Sequence, residues 1–220
     1  AGLRGVSYTQ ASSGDVAQIR AQIEESNMES IILEKAPEIA VYTPPNTPPW
    51  GDAVTLALVY ADIPYDKIWD PEVLQGRLKD YDWLHLHHED FTGQYSKFYI
   101  NYAGAPWLQE EVQRNEAVAA EFGFRNVPAL KQAVAEELRG YVAEGGFLFA
   151  MCTATETIDL ALAALGVNIA APFSSGEPID PNATDKMRWD RAIAFQGAEI
   201  QTSAGVNAFS DIDGHQVNTP

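Results

Sequence analysis

The chain has 220 residues, of which 46% are hydrophobic and 20% charged, so it can bury a sizeable core in one large or two small domains. Its formal net charge of −17 repels nucleic-acid phosphates and anionic membranes, which excludes both as expected partners. No apolar run approaches the roughly 20 residues of a membrane span, and a single cysteine excludes an internal disulfide. We therefore expect a soluble protein, either cytoplasmic or periplasmic.

Residues 1–37 are predicted to be an N-terminal extension with one helix, in front of a single domain. Asp15 is the predicted N-cap of that helix, because Val16, Ile19 and Ile23 then share one face. The chain starts at Ala1 without an initiator Met, so we expect a processed or partial chain.

Within the domain, short apolar runs alternate with helical patterns. Strands are predicted at Glu38–Tyr42, Ile63–Trp69, Trp83–His87, Phe147–Met151 and Ala192–Phe195. Helices are predicted from about Trp50 to Tyr60, from Pro71 to Leu78, from Pro106 to Phe122 and from Asn126 to Ala143. This alternation is typical of a three-layer α/β sandwich with a parallel sheet.

The only cysteine, Cys152, follows the apolar run Phe147–Met151 and precedes a helical pattern that begins at Thr153. The wholly apolar run predicts a strand buried on both faces, inside the sheet and not at its edge. A cysteine at such a strand-to-helix turn is typical of a nucleophile, and the helix N-terminus favours the thiolate. The alternative is a small buried hydrophobe without chemistry.

Ligands of parallel α/β sheets bind beyond the carboxyl ends of the strands. Three predicted strand ends carry polar side chains, and we expect these to share one crevice: Asn46, His87, His88, Glu89, Asp90, Cys152 and Thr153. The aromatic stretch that follows Asp90 is predicted to be a long irregular loop of functional importance, with Tyr95 as a binding residue.

The histidine cluster allows three interpretations. His85 and His87 project to the same face of the predicted strand, and His85 is expected to lie in the core. His87 to Asp90 could cap the following segment, supply His88 as a base to Cys152 with Glu89, or bind a metal. We expect no tightly bound metal and no cofactor.

Three strings, EIAVYTPPN, WLHLHHEDFTGQY and LRGYVAEGGFLFAMCTAT, resemble the class I glutamine amidotransferase-like superfamily. The likeness extends from about Ile32 to Ile169 and is closest to Bacteroidota proteins labelled "asparagine synthetase B". The resemblance implies a flavodoxin-like α/β domain with a Cys-His-Glu triad, in which Cys152 matches the nucleophile.

The chain departs from that family at two points. Ala150 and Ala154 stand where the family's elbow has glycines, and the only histidine after Cys152 is His215, without a Glu two residues beyond. The resemblance therefore implies either a cysteine-dependent hydrolase of carbon–nitrogen bonds, with Thr153 as oxyanion donor, or a non-catalytic binding or assembly domain. A small molecule or peptide as substrate, and a protein as partner, fit these alternatives.

Overall fold

The computed structural model describes residues 10–26, 36–45, 53–203, 206 and 208–213. The chain divides into two compact units, residues 1–36 and residues 37–220. In the first unit, helix α1 spans Ser13–Glu25. Its N-cap is Ser12, and the prediction of Asp15 as N-cap is wrong. The Asp15 carboxylate accepts the Ser12 N–H at 2.8 Å, while the Ser12 hydroxyl accepts the Asp15 N–H at 3.2 Å. This reciprocal capping box satisfies two donors and begins the helix three residues earlier.

The second unit contains a four-stranded parallel sheet in the order β2-β1-β3-β4. Its strands are β1 (Ile39–Tyr42), β2 (Asp66–Ile68), β3 (Trp83–Leu86) and β4 (Phe147–Ala150). All four were predicted, each within a few residues of its observed bounds. The α/β fold class is confirmed, and the order of the four described strands matches the first four positions of the flavodoxin-like order 2-1-3-4-5.

The helices of this unit are α2 (Ala53–Tyr60), α3 (Asp70–Leu74), α4 (Tyr99–Tyr102), α5 (Pro106–Glu121), α6 (Val127–Ala143), α7 (Ala154–Ala163), α8 (Pro172–Ser175) and α9 (Ala183–Lys186). The α6 helix ends as predicted, because Gly145 takes a φ of 99° and Gly146 donates to the Tyr141 carbonyl at 2.9 Å. Within the described ranges, no helix is long and apolar enough to cross a bilayer.

The main core lies on one face of the sheet. There Ala40, Tyr42, Leu84 and Leu86 pack against apolar side chains of α3, α5, α6 and α7. The α6 helix contributes Leu130, Val134 and Leu138, which are fully buried. On the opposite face, Ile39 and Val41 of β1 form a smaller cluster with Leu58 of α2. Helices on both faces make the three layers.

The position predicted for β4 is wrong. This strand lies at the edge of the described sheet, paired only with β3. Phe147 and Phe149, on the face that α2 covers at β1, are 57% and 41% exposed. They contact the neighbouring rings of Trp83 and His85 at centroid distances of 6.0 and 5.7 Å. The unbroken apolar run predicted burial of both faces of this strand. In the structure, only the face of Leu148 and Ala150 packs against the core, and that face is half-buried.

The strand predicted at Ala192–Phe195 is absent, because its backbone donors bind a buried carboxylate. The N–H groups of Ile193, Ala194 and Phe195 donate to Asp159 of α7 at 2.6, 2.8 and 2.7 Å. Backbone N–H groups that donate to a carboxylate cannot also donate to a neighbouring strand. Asp159 is 1% exposed, so this contact fixes the segment after α9 onto the main core.

We expect Asp159→Ala to lower the free energy of unfolding by about 3–5 kcal/mol, since three partly buried N–H groups lose a charged acceptor. Urea unfolding followed by circular dichroism measures this. The exposed Asp185→Ala is the control and should change stability by less than about 0.5 kcal/mol. A loss below about 1 kcal/mol for Asp159→Ala would contradict the anchoring role.

Candidate functional site

A cavity of about 320 Å³, here called the strand-end cavity, opens at the carboxyl ends of β1, β2 and β3. Tyr42 and Thr43 line it from β1, Trp69 follows β2, and residues 87–90 follow β3. Helices α5 and α6 form its opposite wall. The location agrees with the rule for parallel α/β sheets, because side chains beyond adjacent strand ends converge there.

Asp90 organises the loop that borders the cavity after β3. Its Oδ1 accepts the N–H of Thr92 at 2.8 Å and the Thr92 hydroxyl at 2.5 Å. Its Oδ2 accepts the N–H groups of Gln94 at 3.0 Å and Ser96 at 2.9 Å. Desolvation raises the pKa of Asp90, and these four hydrogen bonds oppose that rise. One carboxylate thus closes the loop.

The same loop contains a left-handed turn, in which Tyr95, Ser96 and Lys97 have φ values of 53°, 52° and 58°. Residues other than glycine adopt this region at a cost of order 1–3 kcal/mol each, so the turn requires strong fixation. Gly93, with φ of 72°, passes so close to α6 that a Cβ would lie 2.8 Å from the Pro128 Cα. The turn directs Tyr95 and Ser96 to the cavity.

Lys97 ties this turn to the C-terminal part of the described chain. Its Nζ donates to the carbonyls of Gln201 and Ala208, both at 2.7 Å, and lies 5.1 Å from the Phe209 ring centroid. The side chain is 3% exposed, and this burial lowers the pKa of Lys97 to about 8.

A buried polar network forms the base of the cavity. Lys131 of α6 contacts Asp70 at 2.7 Å between Nζ and Oδ2, and donates to the Tyr42 hydroxyl at 3.1 Å. The Tyr42 hydroxyl in turn donates to Asp70 Oδ1. Burial, reinforced by the Asp70 charge, raises the pKa of Tyr42 well above its usual value. The Asp70 carboxylate thus neutralises the Lys131 charge inside the protein.

The histidine cluster divides between core and cavity. His85 is fully buried, as expected of a core histidine, and stacks on Phe149. His87 and His88 line the cavity with their ring centroids 3.4 Å apart. Glu89 Oε2 accepts the His87 N–H at 2.6 Å, so Glu89 and Asp90 both make the local backbone contacts that the capping interpretation predicts. The catalytic roles of His88 and Glu89 stay predictions.

Cys152 occupies a sharp turn between β4 and α7, as predicted. Its φ is 50°, its side chain is exposed, and its Sγ lies 3.8 Å from the Thr153 hydroxyl oxygen. Thr155 fixes the turn by donating its N–H at 3.1 Å and its hydroxyl at 2.6 Å to the Cys152 carbonyl. The left-handed backbone lifts the thiol out of the sheet.

Cys152 follows β4 and the histidine segment follows β3, and these two strands are neighbours that end at the same height in the sheet. Leu86 pairs with Ala150, and the Met151 N–H donates to the Leu86 carbonyl at 3.1 Å. Parallel neighbours are about 4.8 Å apart, so His87, His88 and Cys152 start from the same carboxyl-end side. The described residues that line the strand-end cavity, however, do not include Cys152. Asn46 falls outside the described residues.

Thr153 has an N–H group that donates to no other residue of the described chain. Its carbonyl accepts the N–H of Thr157 at 3.1 Å and the Thr157 hydroxyl at 2.8 Å. The Thr157 hydroxyl lies 3.0 Å from the Glu89 carbonyl, which joins the start of α7 to the loop after β3. An amide next to the cysteine is therefore available as a donor.

Sequence reasoning missed the cavity residues of α5 and α6, although a signal was present. Lys131 lies on the same helical face as Val127, Val134 and Leu138, where a charged residue is unusual. Further missed residues are Tyr42, Trp69, Asp70, Lys97, Glu111, Arg114 and Asn115.

Comparison with known protein families, with curated proteins and with solved structures finds no match to this chain. Among the described residues, no group of three or more His, Cys, Asp or Glu side chains has the arrangement to hold a metal ion. The functional argument therefore depends on the geometry of the site itself.

We expect the stability of the protein to depend on pH through Lys97. Between its folded pKa of about 8 and the unfolded value of 10.5, the unfolded chain binds more protons, so stability rises with pH. The rise between pH 8 and 10 should reach about 2 kcal/mol and should be missing in Lys97→Met. Urea unfolding at each pH measures both.

The exposed Lys79→Met serves as the control and should keep the pH dependence of the parent chain. Equal slopes for Lys97→Met and Lys79→Met would show that the Lys97 charge is not the cause.

We expect Lys131→Met to lower the free energy of unfolding by about 3–5 kcal/mol, because the Asp70 carboxylate is left buried without its cation. Adding Asp70→Asn should cost less in the Lys131→Met background than in the parent chain, since the two groups are coupled. Additive losses in a urea double-mutant cycle would contradict a direct pair.

Proposed function

We propose that this chain is a class I glutamine amidotransferase-like domain that hydrolyses carbon–nitrogen bonds with Cys152 as nucleophile. The observation that carries the proposal is the backbone of Cys152, whose φ of 50° places an exposed thiol at the junction of β4 and α7. A non-glycine residue in this conformation costs free energy, and such outliers cluster at active sites.

In the proposed reaction, the Cys152 sulfur attacks the carbonyl carbon of an amide while an imidazole takes the thiol proton. His88 is the proposed base, because it leaves the strand next to that of Cys152 and is exposed to solvent. The N–H of Thr153 stabilises the oxyanion. The proton then passes to the departing amine, and water hydrolyses the thioester to release a carboxylic acid.

Glu89 has a supporting role in this proposal. Its carboxylate accepts the His87 N–H at 2.6 Å, and thereby fixes the turn from which both imidazoles project. The substrate is a small-molecule or peptide amide that reaches the exposed thiol.

A second candidate is a binding domain that keeps the fold without catalysis. It is favoured by one observation, namely that the strand-end cavity is formed by β1–β3, α5 and α6, while Cys152 lies outside the described lining. A domain of this kind would bind its ligand in the cavity and use no nucleophile.

Alkylation separates the two candidates. For a hydrolase, iodoacetamide at pH 7 should modify Cys152 at least about 10-fold faster than N-acetylcysteine, with Cys152→Ser as the blank. His88→Gln should slow the reaction more than His87→Gln. A rate equal to that of N-acetylcysteine would favour the binding domain.

Ammonia release from L-glutamine, L-asparagine and their peptide amides tests turnover directly. Cys152→Ala should reduce any release by at least about 10³-fold, because no acyl-enzyme can form. Release that survives this substitution would exclude the proposed mechanism.

A further inference from the structure

The strand-end cavity has one wall built from a single turn of α5. Glu111, Arg114 and Asn115 occupy positions i, i+3 and i+4 of this helix and all line the cavity. Trp69 and Lys131 also line the cavity, and Asp70 pairs with Lys131 at its base. The cavity is also rich in aromatic rings, contributed by Tyr42, Tyr65, Trp69, Tyr95, Phe98 and Trp107.

Two of the charged groups in this region are already satisfied by the protein. Lys131 is neutralised by Asp70 at 2.7 Å, and Asp90 accepts four hydrogen bonds from its own loop. These two residues therefore shape the cavity but have little capacity left for a ligand.

Arg114 is different. Its guanidinium lies over the Trp69 ring, 5.7 Å from the centroid, and forms no salt bridge with a carboxylate of the described chain. Burial raises the pKa of the neighbouring Glu111, and the charges of Lys131 and Arg114 oppose that rise. The Arg114 Nε is buried and has no hydrogen-bond partner in the described chain. The planar guanidinium carries its N–H groups in a fork whose geometry suits a carboxylate.

Asn115 provides a second, independent indication. The residue is 4% exposed, and its Nδ2 donates to the Glu111 carbonyl at 2.8 Å. Its Oδ1 is buried without a hydrogen-bond partner in the described chain. A buried amide oxygen left without a donor costs about 1–3 kcal/mol, and a donor from a ligand removes that cost.

We propose that the strand-end cavity binds a small molecule with one six-membered ring, a carboxylate and a hydroxyl group. Arg114 holds the carboxylate through paired N–H donors, and Asn115 Oδ1 accepts from the hydroxyl. The aromatic walls pack on the faces of the ring. A volume of about 320 Å³ is at the lower end of small-molecule sites, which suits a one-ring ligand.

This binding does not use Cys152 and goes beyond the proposed hydrolysis. The ring can be aromatic or a sugar, so the two sources are tested side by side. The probes are 4-hydroxybenzoate and D-glucuronate, each compared with a neutral analogue, 4-hydroxybenzamide or D-glucose. Isothermal titration calorimetry with the 220-residue chain at pH 7 measures binding.

We expect one acid to bind with a Kd of about 1 mM or tighter, and its neutral analogue at least about 10-fold more weakly. Arg114→Gln should weaken binding of that acid at least about 10-fold, and Asn115→Ala about 3- to 10-fold. The exposed Gln113→Ala on the same helix should bind as the parent chain does. Cys152→Ser should also bind normally, which separates this inference from the proposed hydrolysis.

The inference is overturned if neither acid binds, if a neutral analogue binds as tightly as its acid, or if Arg114→Gln leaves binding unchanged. Circular dichroism shows whether Arg114→Gln is folded. If Arg114→Gln is not folded, the binding of the acid to Arg114→Lys is measured instead, because lysine keeps the charge but loses the paired donors. Unchanged binding by Arg114→Lys would then overturn the proposal, and a loss of about 3-fold or more would support it.

Discussion

The carboxylate of Asp90 is the contact on which the cavity depends. A left-handed turn of three non-glycine residues, Tyr95 to Lys97, is unfavourable by itself, and four hydrogen bonds to one side chain stabilise the loop that contains it. Without that acceptor, the N–H groups of Gln94 and Ser96 would lose their partner beside the cavity. Local electrostatics thus compensates for backbone strain at this site.

Two buried ionisable side chains anchor the C-terminal part of the described chain, in addition to the apolar cluster around Phe209 and the bridge between Ile200 and Ser210. Asp159 binds three consecutive N–H groups, and Lys97 binds two carbonyls further along. Both side chains are almost fully buried. Lys97 also belongs to the loop that Asp90 holds. Its hydrogen bonds therefore link the cavity wall directly to this C-terminal segment.

Much of the fold could be predicted because hydrophobic periodicity reports which faces are buried. The four parallel strands and the helices α5 and α6 follow directly from such patterns. The edge position of β4 could not be predicted, since Phe147 and Phe149 look the same in sequence whether or not another layer covers them. The failed strand at Ala192–Phe195 had a distant cause, the carboxylate of Asp159, which lies more than 30 residues earlier.

The site was predicted in part for a similar reason. Residues that follow strands, such as His87 to Asp90, are placed by the topology of a parallel sheet. Arg114, Asn115 and Lys131 come from helices packed above the strand ends, and their placement depends on helix rotation. The sequence signal for such a helix residue is a polar side chain at a position on an otherwise apolar face.

The way in which Asp90 holds its loop has a consequence for how this cavity can diversify. Of its four bonds, three go to backbone N–H groups, which every residue except proline possesses. The side chain at position 96, which lines the cavity, can therefore be exchanged without losing the contact between its N–H group and Asp90. A related chain could therefore carry another residue that tolerates a left-handed backbone at this position, and so change the chemistry that borders the cavity while the backbone path stays the same.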